Sequence, residues 1–356
     1  MTKPMRVVTV AGARPQFVKA FALSRALAAA SDFDEILIHT GQHFDDNMSS
    51  IFFEELGIPR PKYHFRIEGG GGPAMPHMLR NIGEAIAAEQ PDAVIVYGDT
   101  DSTLAGALAA SRAGVPLVHI EAGMRSFNRR MPEETNRVVT DHLSQLLLCV
   151  TRSSVENLAR EGIDQDVHQV GDLMYDATLL ATTVAERRSN ILQKLHLEPK
   201  SYAVATVHRA GNTDEPEVLN RILDFIAEEA ARHPIVFPVH PRTIRAAADA
   251  GIDLARTGAT LIDPLGYLAM CRLVHNAEIV LTDSGGLQKE AYFHRVPCIT
   301  LRDETEWVET IECGWNRLWT EPRHRERRNI PDFGDGEAAT KVVEAMRSYL
   351  RGGAAT

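Results

Sequence analysis

The chain has 356 residues, of which 44% are hydrophobic and 24% charged, an ordinary composition for a globular enzyme. Its formal net charge of -10 argues against a general nucleic-acid-binding protein. No apolar run approaches the roughly 20 residues of a membrane-spanning helix, and the one at the N-terminus is too short for a signal peptide, so a cytoplasmic protein without membrane contacts is expected.

The first half of the chain predicts a parallel sheet with helices between its strands. Its apolar runs are continuous rather than alternating, as in parallel strands that are buried on both faces. The predicted strands are Met5–Val10, Ile36–Thr40, Ala93–Tyr97, Val115–Ile120 and Leu143–Val150. The predicted helices are Gln16–Ala30, Met78–Ala88, one that opens at Glu133 and one that begins at Ser153. Gly69–Gly72 can only form a loop, either a passive connector or a mobile flap.

A long helical segment, Met174–Leu195, is expected to bridge to a second half with the same rhythm. The predicted strands there are Tyr202–Val207, Ile235–Val239, Thr260–Ile262, Glu278–Thr282 and Cys298–Leu301. The predicted helices are Glu217–Arg232, Arg242–Ala250, Gly266–His275 and Gly286–Phe293. Strands that alternate with helices of 10–15 residues indicate right-handed βαβ units.

The sequence therefore predicts an α/β chain with two Rossmann-like parallel-sheet domains and a cleft between them. The expected boundaries are 1–173 for the N-terminal domain and 174–334 for a nucleotide-binding domain. Residues 335–356 contain a terminal helix, Gly336–Leu350, that we expect to return to the first domain, because Val342, Val343, Met346 and Leu350 need an apolar surface. The four cysteines form no CxxC pair and the histidines no HExxH motif, so we predict reduced thiols, no metal and no other cofactor.

Acidic residues follow two neighbouring strands of the first half. Asp99 and Glu121 come at the ends of their strands, and Glu133–Glu134 opens the next helix. Ligands of open α/β sheets lie beyond the carboxyl ends of the strands, so these acids should face one crevice, with Arg125 and Arg137 nearby. Each acid alone could be a helix cap. Together with the cations they indicate proton chemistry on an anionic substrate.

The remaining strand ends carry features that suit an anion. The turn Ala11–Pro15 brings backbone to a helix N-terminus, where Arg14 and Lys19 add charge, and Gly41-Gln42-His43 follows the second strand. In the second half, cationic strand ends accompany a Ser-Gly-Gly turn whose N–H groups suit a diphosphate. Those positions are His208-Arg209, His240-Pro241-Arg242, Asp283–Gly286 and Arg302–Glu306. Glu290, one helical turn after the glycines, could bind ribose hydroxyls.

The motifs GARPQFVKA, GQHFDDNM, YGDTDST, HIEAGMRS, PEETNR, VGDLMYDA, PVHPR and TDSGGLQKEA occur in this order. As a set they resemble the non-hydrolysing UDP-N-acetylglucosamine 2-epimerase family, and the resemblance runs from about Val8 to Glu312. It implies the two-domain fold called GT-B, inversion of C2 in a UDP-linked 2-acetamido sugar, and a homodimer.

The resemblance also implies roles for individual residues. It assigns catalysis to Asp99, Glu121, Glu133 and His208. Nucleotide and substrate binding falls to Arg14, Lys19, Ser284, Gly285, Gly286, Glu290, Arg302 and Glu306, and we add Gln42, His43, Arg125, Arg137, Arg209 and His240. The C2 proton of such a sugar is barely acidic, so loss of UDP from C1 as that proton leaves would avoid a free carbanion. A 2-acetamidoglucal beside UDP would result, and proton delivery to two faces explains several acids.

Two departures from the commonest members bear on the substrate. The segment Ser126–Met131 is shorter, and Arg302–Glu309 reads RDETEWVE. Both resemble the branch that acts on UDP-2,3-diacetamido-2,3-dideoxyglucuronate, as well as archaeal-type epimerases. A GT-B glycosyltransferase, a hydrolysing 2-epimerase and an inactive nucleotide-sugar sensor are the alternatives. The first is disfavoured by the spacing of Asp283 and Glu290, the second by the motifs, and the third by retention of the catalytic set.

Overall fold

The computed structural model describes residues 3–42, 60–65 and 74–352. The chain forms two compact units, residues 1–177 with 331–356 and residues 178–330, here called the first and second units. His43 and Gly69–Gly72 lie outside the described residues. Within the described part of the chain, no helix is long and apolar enough to cross a membrane.

The described strands of the first unit form one parallel sheet of order β3-β2-β1-β4-β5-β6-β7. Its strands are β1 (Met5–Ala11), β2 (Phe33–His39), β3 (Tyr63–His64), β4 (Ala93–Tyr97), β5 (Leu117–Ala122), β6 (Leu146–Cys149) and β7 (Val167–Gln169). Its helices are α1 (Arg14–Ala29), α2 (Ala74–Glu89), α3 (Asp101–Ala113), α4 (Pro132–Leu143) and α5 (Arg152–Arg160). Every residue of β4 is buried, as expected for a central parallel strand covered on both faces.

The second unit repeats this plan with a parallel sheet of order β10-β9-β8-β11-β12-β13 among the described residues. Its strands are β8 (Ala203–Thr206), β9 (Ile235–Pro238), β10 (Thr260–Ile262), β11 (Ile279–Thr282), β12 (Cys298–Thr300) and β13 (Asn316–Leu318). Its helices are α7 (Ile191–Lys194), α8 (Ala210–Thr213), α9 (Pro216–Ala230), α10 (Pro241–Asp249), α11 (Tyr267–His275), α12 (Gly285–Phe293) and α13 (Val308–Glu312). The prediction of two Rossmann-like parallel sheets is confirmed.

The predicted helix Met174–Leu195 is wrong in one respect, because it is interrupted. Helix α6 (Leu173–Arg188) ends two residues before α7 begins. The two units divide within α6, after Ala177. The carboxylate of Asp176 accepts the backbone N–H groups of Ala338 and Ala339 at 3.1 and 2.7 Å, which ties the start of α6 to the final helix α14 (Ala338–Gly352).

Helix α14 itself belongs to the first unit. Its apolar residues Val342, Val343 and Met346 are buried, and it lies against α1. Arg347 pairs with Asp32 at 2.7 Å. The return of the chain to the first unit therefore combines an apolar helix face with ion pairs at its rim.

Candidate active site

The turn after β1 is fastened to the end of β4 by Gln16, a residue that sequence reasoning missed. Its side-chain oxygen accepts the N–H groups of Gly12 and Ala13 at 2.8 and 3.1 Å. Its amide nitrogen donates to the carbonyl of Tyr97 at 2.8 Å. A side chain at position 12 would collide with the hydroxyls of Thr40 and Ser102, so only glycine fits there. Buried Gln16 thus sets the first turn of α1, where Arg14 is exposed.

Gln42 is held by the first turn of α3. Its side-chain oxygen accepts the backbone N–H of Ser102 at 2.9 Å and the Ser102 hydroxyl at 2.6 Å. The side chain of Thr100 caps the same helix by accepting the N–H of Thr103. Gln42 therefore contacts the first turn of α3, the helix that follows Asp99.

Glu121 forms an ion pair with Lys19, and both side chains are largely buried. Burial alone would lower the pKa of Lys19, but the charge and hydrogen bond of Glu121 raise it, so the ammonium group keeps its charge. Glu121 has a left-handed backbone with φ of 70°, beside a register shift between Ile120 and Ala122. Non-glycine residues are strained there, and such strain concentrates at functional sites.

Asp99 is held by Arg137 from helix α4. The guanidinium donates to the Asp99 carboxylate at 2.5 Å and to Glu134 at 3.1 Å. Asn136, on the same helix, donates to the backbone carbonyl of Asp99 at 2.9 Å. The Asp99 side chain keeps about a third of its surface exposed. Two carboxylates at adjacent strand ends are thus each fixed by a cation and partly accessible, as proton transfer to a bound ligand requires.

The adjacent acids Glu133 and Glu134 have different environments. Glu133 is exposed on the first turn of α4, whereas Glu134 is buried. Glu134 accepts the N–H groups of Ser126 and Phe127 at 2.8 and 2.9 Å, as well as the Ser126 hydroxyl. Burial would raise the pKa of Glu134, but these hydrogen bonds and Arg137 lower it. Glu134 therefore anchors the loop before the helix, and Glu133 is the one open to a ligand.

Arg125 does not lie where a substrate-binding residue was expected. Its side chain is 1% exposed and pairs with Asp141 and Glu161, each at 2.7 Å. It also donates to the carbonyl of Met124. Burial would lower the pKa of Arg125, but Glu161 and Asp141 raise it. Because these contacts occupy the guanidinium group, the structure supports a structural role for Arg125.

In the second unit, buried Asp283 organises the ends of β8 and β11. Its Oδ2 accepts the backbone N–H groups of His208 and Arg209 at 2.8 and 2.9 Å and the side-chain amide of Asn212 at 3.1 Å. Its Oδ1 lies 3.1 Å from Nδ1 of His208. Burial would raise the pKa of Asp283, but His208 and the backbone N–H groups lower it, so the carboxylate stays ionised. The His208 ring is 5.4 Å from that of His240.

Glu306 lies against the N-terminus of α12. It accepts from Arg209 at 3.0 Å and from Arg302 at 2.6 Å. A Cβ built on Gly285 would be only 2.2 Å from Oε1 of Glu306. Ser284 caps the helix and Glu290 is half-buried one turn further on. A carboxylate thus lies between two arginines at the N-terminus of a helix that begins with glycine. Such a position favours anions.

A family model described as UDP-N-acetylglucosamine 2-epimerase matches residues 25–356. A UDP-N-acetylglucosamine 2-epimerase homolog of Methanococcus maripaludis is 45% identical, with 97% of this chain and 100% of that protein covered. The UDP-2,3-diacetamido-2,3-dideoxy-D-glucuronate 2-epimerase of Pseudomonas aeruginosa is 44% identical over 96% of this chain and 99% of that protein. A crystal structure of Methanocaldococcus jannaschii UDP-GlcNAc 2-epimerase in complex with UDP-GlcNAc and UDP is similar, with a TM-score of 0.81, 39% identity, and 97% and 99% of the two chains covered.

Proposed function

The chain belongs to the UDP-N-acetylglucosamine 2-epimerase family and is an isomerase, and we propose that it interconverts UDP-N-acetylglucosamine and UDP-N-acetylmannosamine by inversion at C2. The observation that carries this proposal is the arrangement at the ends of β4 and β5. There the carboxylates of Asp99 and Glu121 are each fixed by a cation, Arg137 and Lys19 respectively. Fixed carboxylates beside a sugar ring are suited to removing and returning a proton.

We assign the two proton transfers to the acids of the first unit. One carboxylate takes the C2 proton, and the electron pair of the broken C2–H bond forms the C1=C2 bond of a 2-acetamidoglucal. The electron pair of the broken C1–O bond leaves with UDP. In the return step the UDP oxygen attacks C1, and an acid delivers a proton to the opposite face of C2. Asp99, Glu121 and Glu133 are the candidates for these two positions, because each lies at a strand end or on the first turn of α4.

We assign the departing diphosphate to the strand ends of the second unit. Arg209, Arg302 and His208 supply cationic or N–H donors there, and α12 supplies its N-terminus. Glu290 lies one turn along that helix and is assigned to the ribose hydroxyls. Arg14 of the first unit, exposed at the start of α1, is assigned to the nucleotide as well.

Incubation of the protein with UDP-N-acetylglucosamine in D2O tests the reaction directly. We expect deuterium at C2 in an intact UDP-sugar and a mixture of both epimers. Release of free N-acetylmannosamine would instead indicate a hydrolysing enzyme. Absence of C2 exchange, in a protein that binds UDP by calorimetry, would favour a glycosyltransferase or a nucleotide-sugar sensor.

A second candidate substrate is UDP-2,3-diacetamido-2,3-dideoxyglucuronate. The loop from Ser126 to Met131 is anchored by Glu134 and carries exposed Arg129 and Arg130. Either arginine could pair with a C6 carboxylate, a contact that discriminates strongly against a neutral hydroxymethyl group. The 44% identity to the Pseudomonas aeruginosa enzyme also favours this candidate.

The two sugars are separated by kcat/KM for each in wild type, Arg129→Ala and Arg130→Ala. A large preference for the uronate that one substitution erases would overturn our first choice. Efficient turnover of UDP-N-acetylglucosamine that neither substitution changes would support it. We also propose a homodimer, on family membership alone, and light scattering should give twice the chain mass of 39.3 kDa.

A further inference from the structure

His119 is a fully buried histidine whose two ring nitrogens both face acceptors. Nδ1 lies 2.6 Å from a carboxylate oxygen of Asp141, and Nε2 lies 2.8 Å from the carbonyl oxygen of Gly98. A carboxylate and a carbonyl oxygen are both hydrogen-bond acceptors, so the ring is held to the fold on both of its sides. Arg125 also pairs with Asp141, which leaves the buried carboxylate fully compensated.

Gly98 joins the two candidate acids. Its N–H donates to the carbonyl of Ile120 at 2.9 Å, and Asp99 is the next residue. A Cβ built on Gly98, which has a φ of 62°, would lie 3.0 Å from a carboxylate oxygen of Glu121. The His119 hydrogen bond therefore fixes the peptide group between Gly98 and Asp99, and with it the backbone against which Glu121 rests.

Asp141 also restrains the chain on the far side of Glu121. While Oδ1 meets His119, Oδ2 accepts the backbone N–H of Gly123 at 3.2 Å. Glu121 lies between these two contacts with a left-handed backbone. A non-glycine residue persists in that conformation only where its surroundings impose it, because the conformation is strained.

We propose that His119, held between Asp141 and the Gly98 carbonyl, is a positioning residue that holds Asp99 and Glu121 in place for proton transfer at C2. The inference rests on the proposed function. A misplacement of about 1 Å can cost a factor of roughly 10² in rate, so loss of this contact is felt in turnover. A histidine that only stabilised the core would affect turnover no more than it affects folding.

Two substitutions separate these roles, because each retains one of the two contacts. The side-chain amide nitrogen of His119→Asn can replace Nδ1 and still donate to Asp141, but it cannot reach Gly98. The amide nitrogen of His119→Gln can replace Nε2 and donate to Gly98, but it leaves buried Asp141 with one donor fewer.

We expect opposite orders for activity and stability. His119→Asn should retain the higher Tm yet lose roughly tenfold or more in kcat, with KM little changed. His119→Gln should retain most of kcat while its Tm falls further. If kcat follows Tm, so that the asparagine variant is the more active, or if the two variants have equal kcat, the positioning role is wrong. The same pair of changes at exposed His142 on α4 is the matched control and should leave kcat unchanged.

Deuterium exchange at C2 is the activity measurement, the Tm verifies that each variant is folded, and calorimetry measures UDP binding. A wild type that binds UDP without exchange would overturn the proposed function, whereas a wild type that exchanges while the two variants match overturns only this inference. Wild-type protein with ¹⁵N-labelled histidine gives a check that needs no variant. We expect a buried ring with a protected hydrogen on Nε2, donated to the Gly98 carbonyl, and a His119 ring without that hydrogen would overturn the proposal.

Discussion

Each unit contains an aspartate–histidine pair near the carboxyl ends of its strands, and the two pairs differ in solvent exposure. In the first unit, the His119 and Asp141 side chains are both 0% exposed. In the second unit, Asp283 is 0% exposed but the His208 side chain is 37% exposed. Both aspartates accept backbone N–H groups near strand ends, Asp141 from Gly123 and Asp283 from His208 itself.

Burial, rather than the identity of the pair, determines whether each histidine can contact a ligand. His119 has both ring nitrogens committed to the fold, so it can hold backbone but cannot exchange a proton with a ligand. His208 uses Nδ1 on Asp283 and presents the rest of its ring to solvent, so it can meet a phosphate oxygen. Substitutions at the two histidines and at the neighbouring acids test this division.

The largest effect is expected at the acids. Asp99→Asn, Glu121→Gln and Glu133→Gln should each lower kcat by roughly 10²-fold or more, the usual loss for a general acid or base. UDP affinity, measured by calorimetry, should change little. Glu156→Gln, an exposed acid on α5, serves as the control. Wild-type turnover in any of the three amide variants would remove that residue from the proposed chemistry.

A smaller loss in kcat, still roughly 10²-fold, is expected for His208→Asn, because charge builds on the diphosphate as UDP leaves. The exposed ring contributes little to the core, so the Tm should stay close to that of wild type. The comparison between the two pairs predicts that His119→Asn is the less stable of the two variants. Equal losses of Tm would mean that exposure does not separate the two histidines.

The strands and the acids at their ends could be predicted from sequence, because continuous apolar runs such as Ala93–Tyr97 mark buried parallel strands and the next polar residue falls at the edge. His119 could not be assigned a role, although a histidine within the run Leu117–Ala122 was a signal. Its partner Asp141 is 22 residues away, and only the folded sheet brings the two together.

The ion pairs of Arg125 could not be predicted for the same reason, since its partners Asp141 and Glu161 belong to other elements. The short strands β3, β7 and β13 were missed because two or three residues carry no apolar period. The division of roles between Glu133 and Glu134 also required the fold, because adjacent helical residues point in different directions and only one is buried.

Gly98→Ala should lower kcat by roughly tenfold, the scale of a slightly displaced catalytic group. The new methyl group would press on the Glu121 carboxylate and disturb its pairing with Lys19. Gly114→Ala is the matched control, because its φ of 67° is similar but nothing lies within 4 Å of the added carbon. Both variants should lose about 1 kcal/mol of stability from backbone strain. Equal kcat in the two would show that Glu121 tolerates the displacement.

In the second unit, Gly285→Ala should raise the Kd for UDP by roughly tenfold, equivalent to about 1.4 kcal/mol. The added methyl group would occupy the space at the N-terminus of α12 where the Glu306 carboxylate now lies. Gly286→Ala is the control, because its added carbon would meet no atom closer than 4.0 Å. Unchanged UDP affinity in Gly285→Ala would place the diphosphate elsewhere.

The last expected effect is on stability rather than activity and concerns a third histidine, His294, whose ring contacts another histidine rather than an aspartate. Its ring nitrogens lie 3.3 Å from His275, 3.5 Å from Thr182 and 3.7 Å from the sulfur of Cys271. Burial, and then the charge of His275, lower the pKa of His294 to about 3. The contrast with His119 is direct, since the ring of His119 lies beside a carboxylate and that of His294 lies beside another histidine.

This contrast gives a stability that depends on pH. Because the folded pKa of His294 is below the unfolded value of about 6.5, the unfolded chain binds a proton first as pH falls, and the stabilisation present above pH 6.5 is lost toward pH 3. Between pH 7 and 5, wild type should lose about 2 kcal/mol more unfolding free energy than His294→Gln, as measured by urea titration. The variant's lower starting stability does not affect this difference, since only the change with pH is compared. Parallel pH profiles for the two proteins would show that His294 takes up a proton as readily in the folded chain as in the unfolded chain, and burial without a carboxylate would then not suffice to keep this histidine neutral.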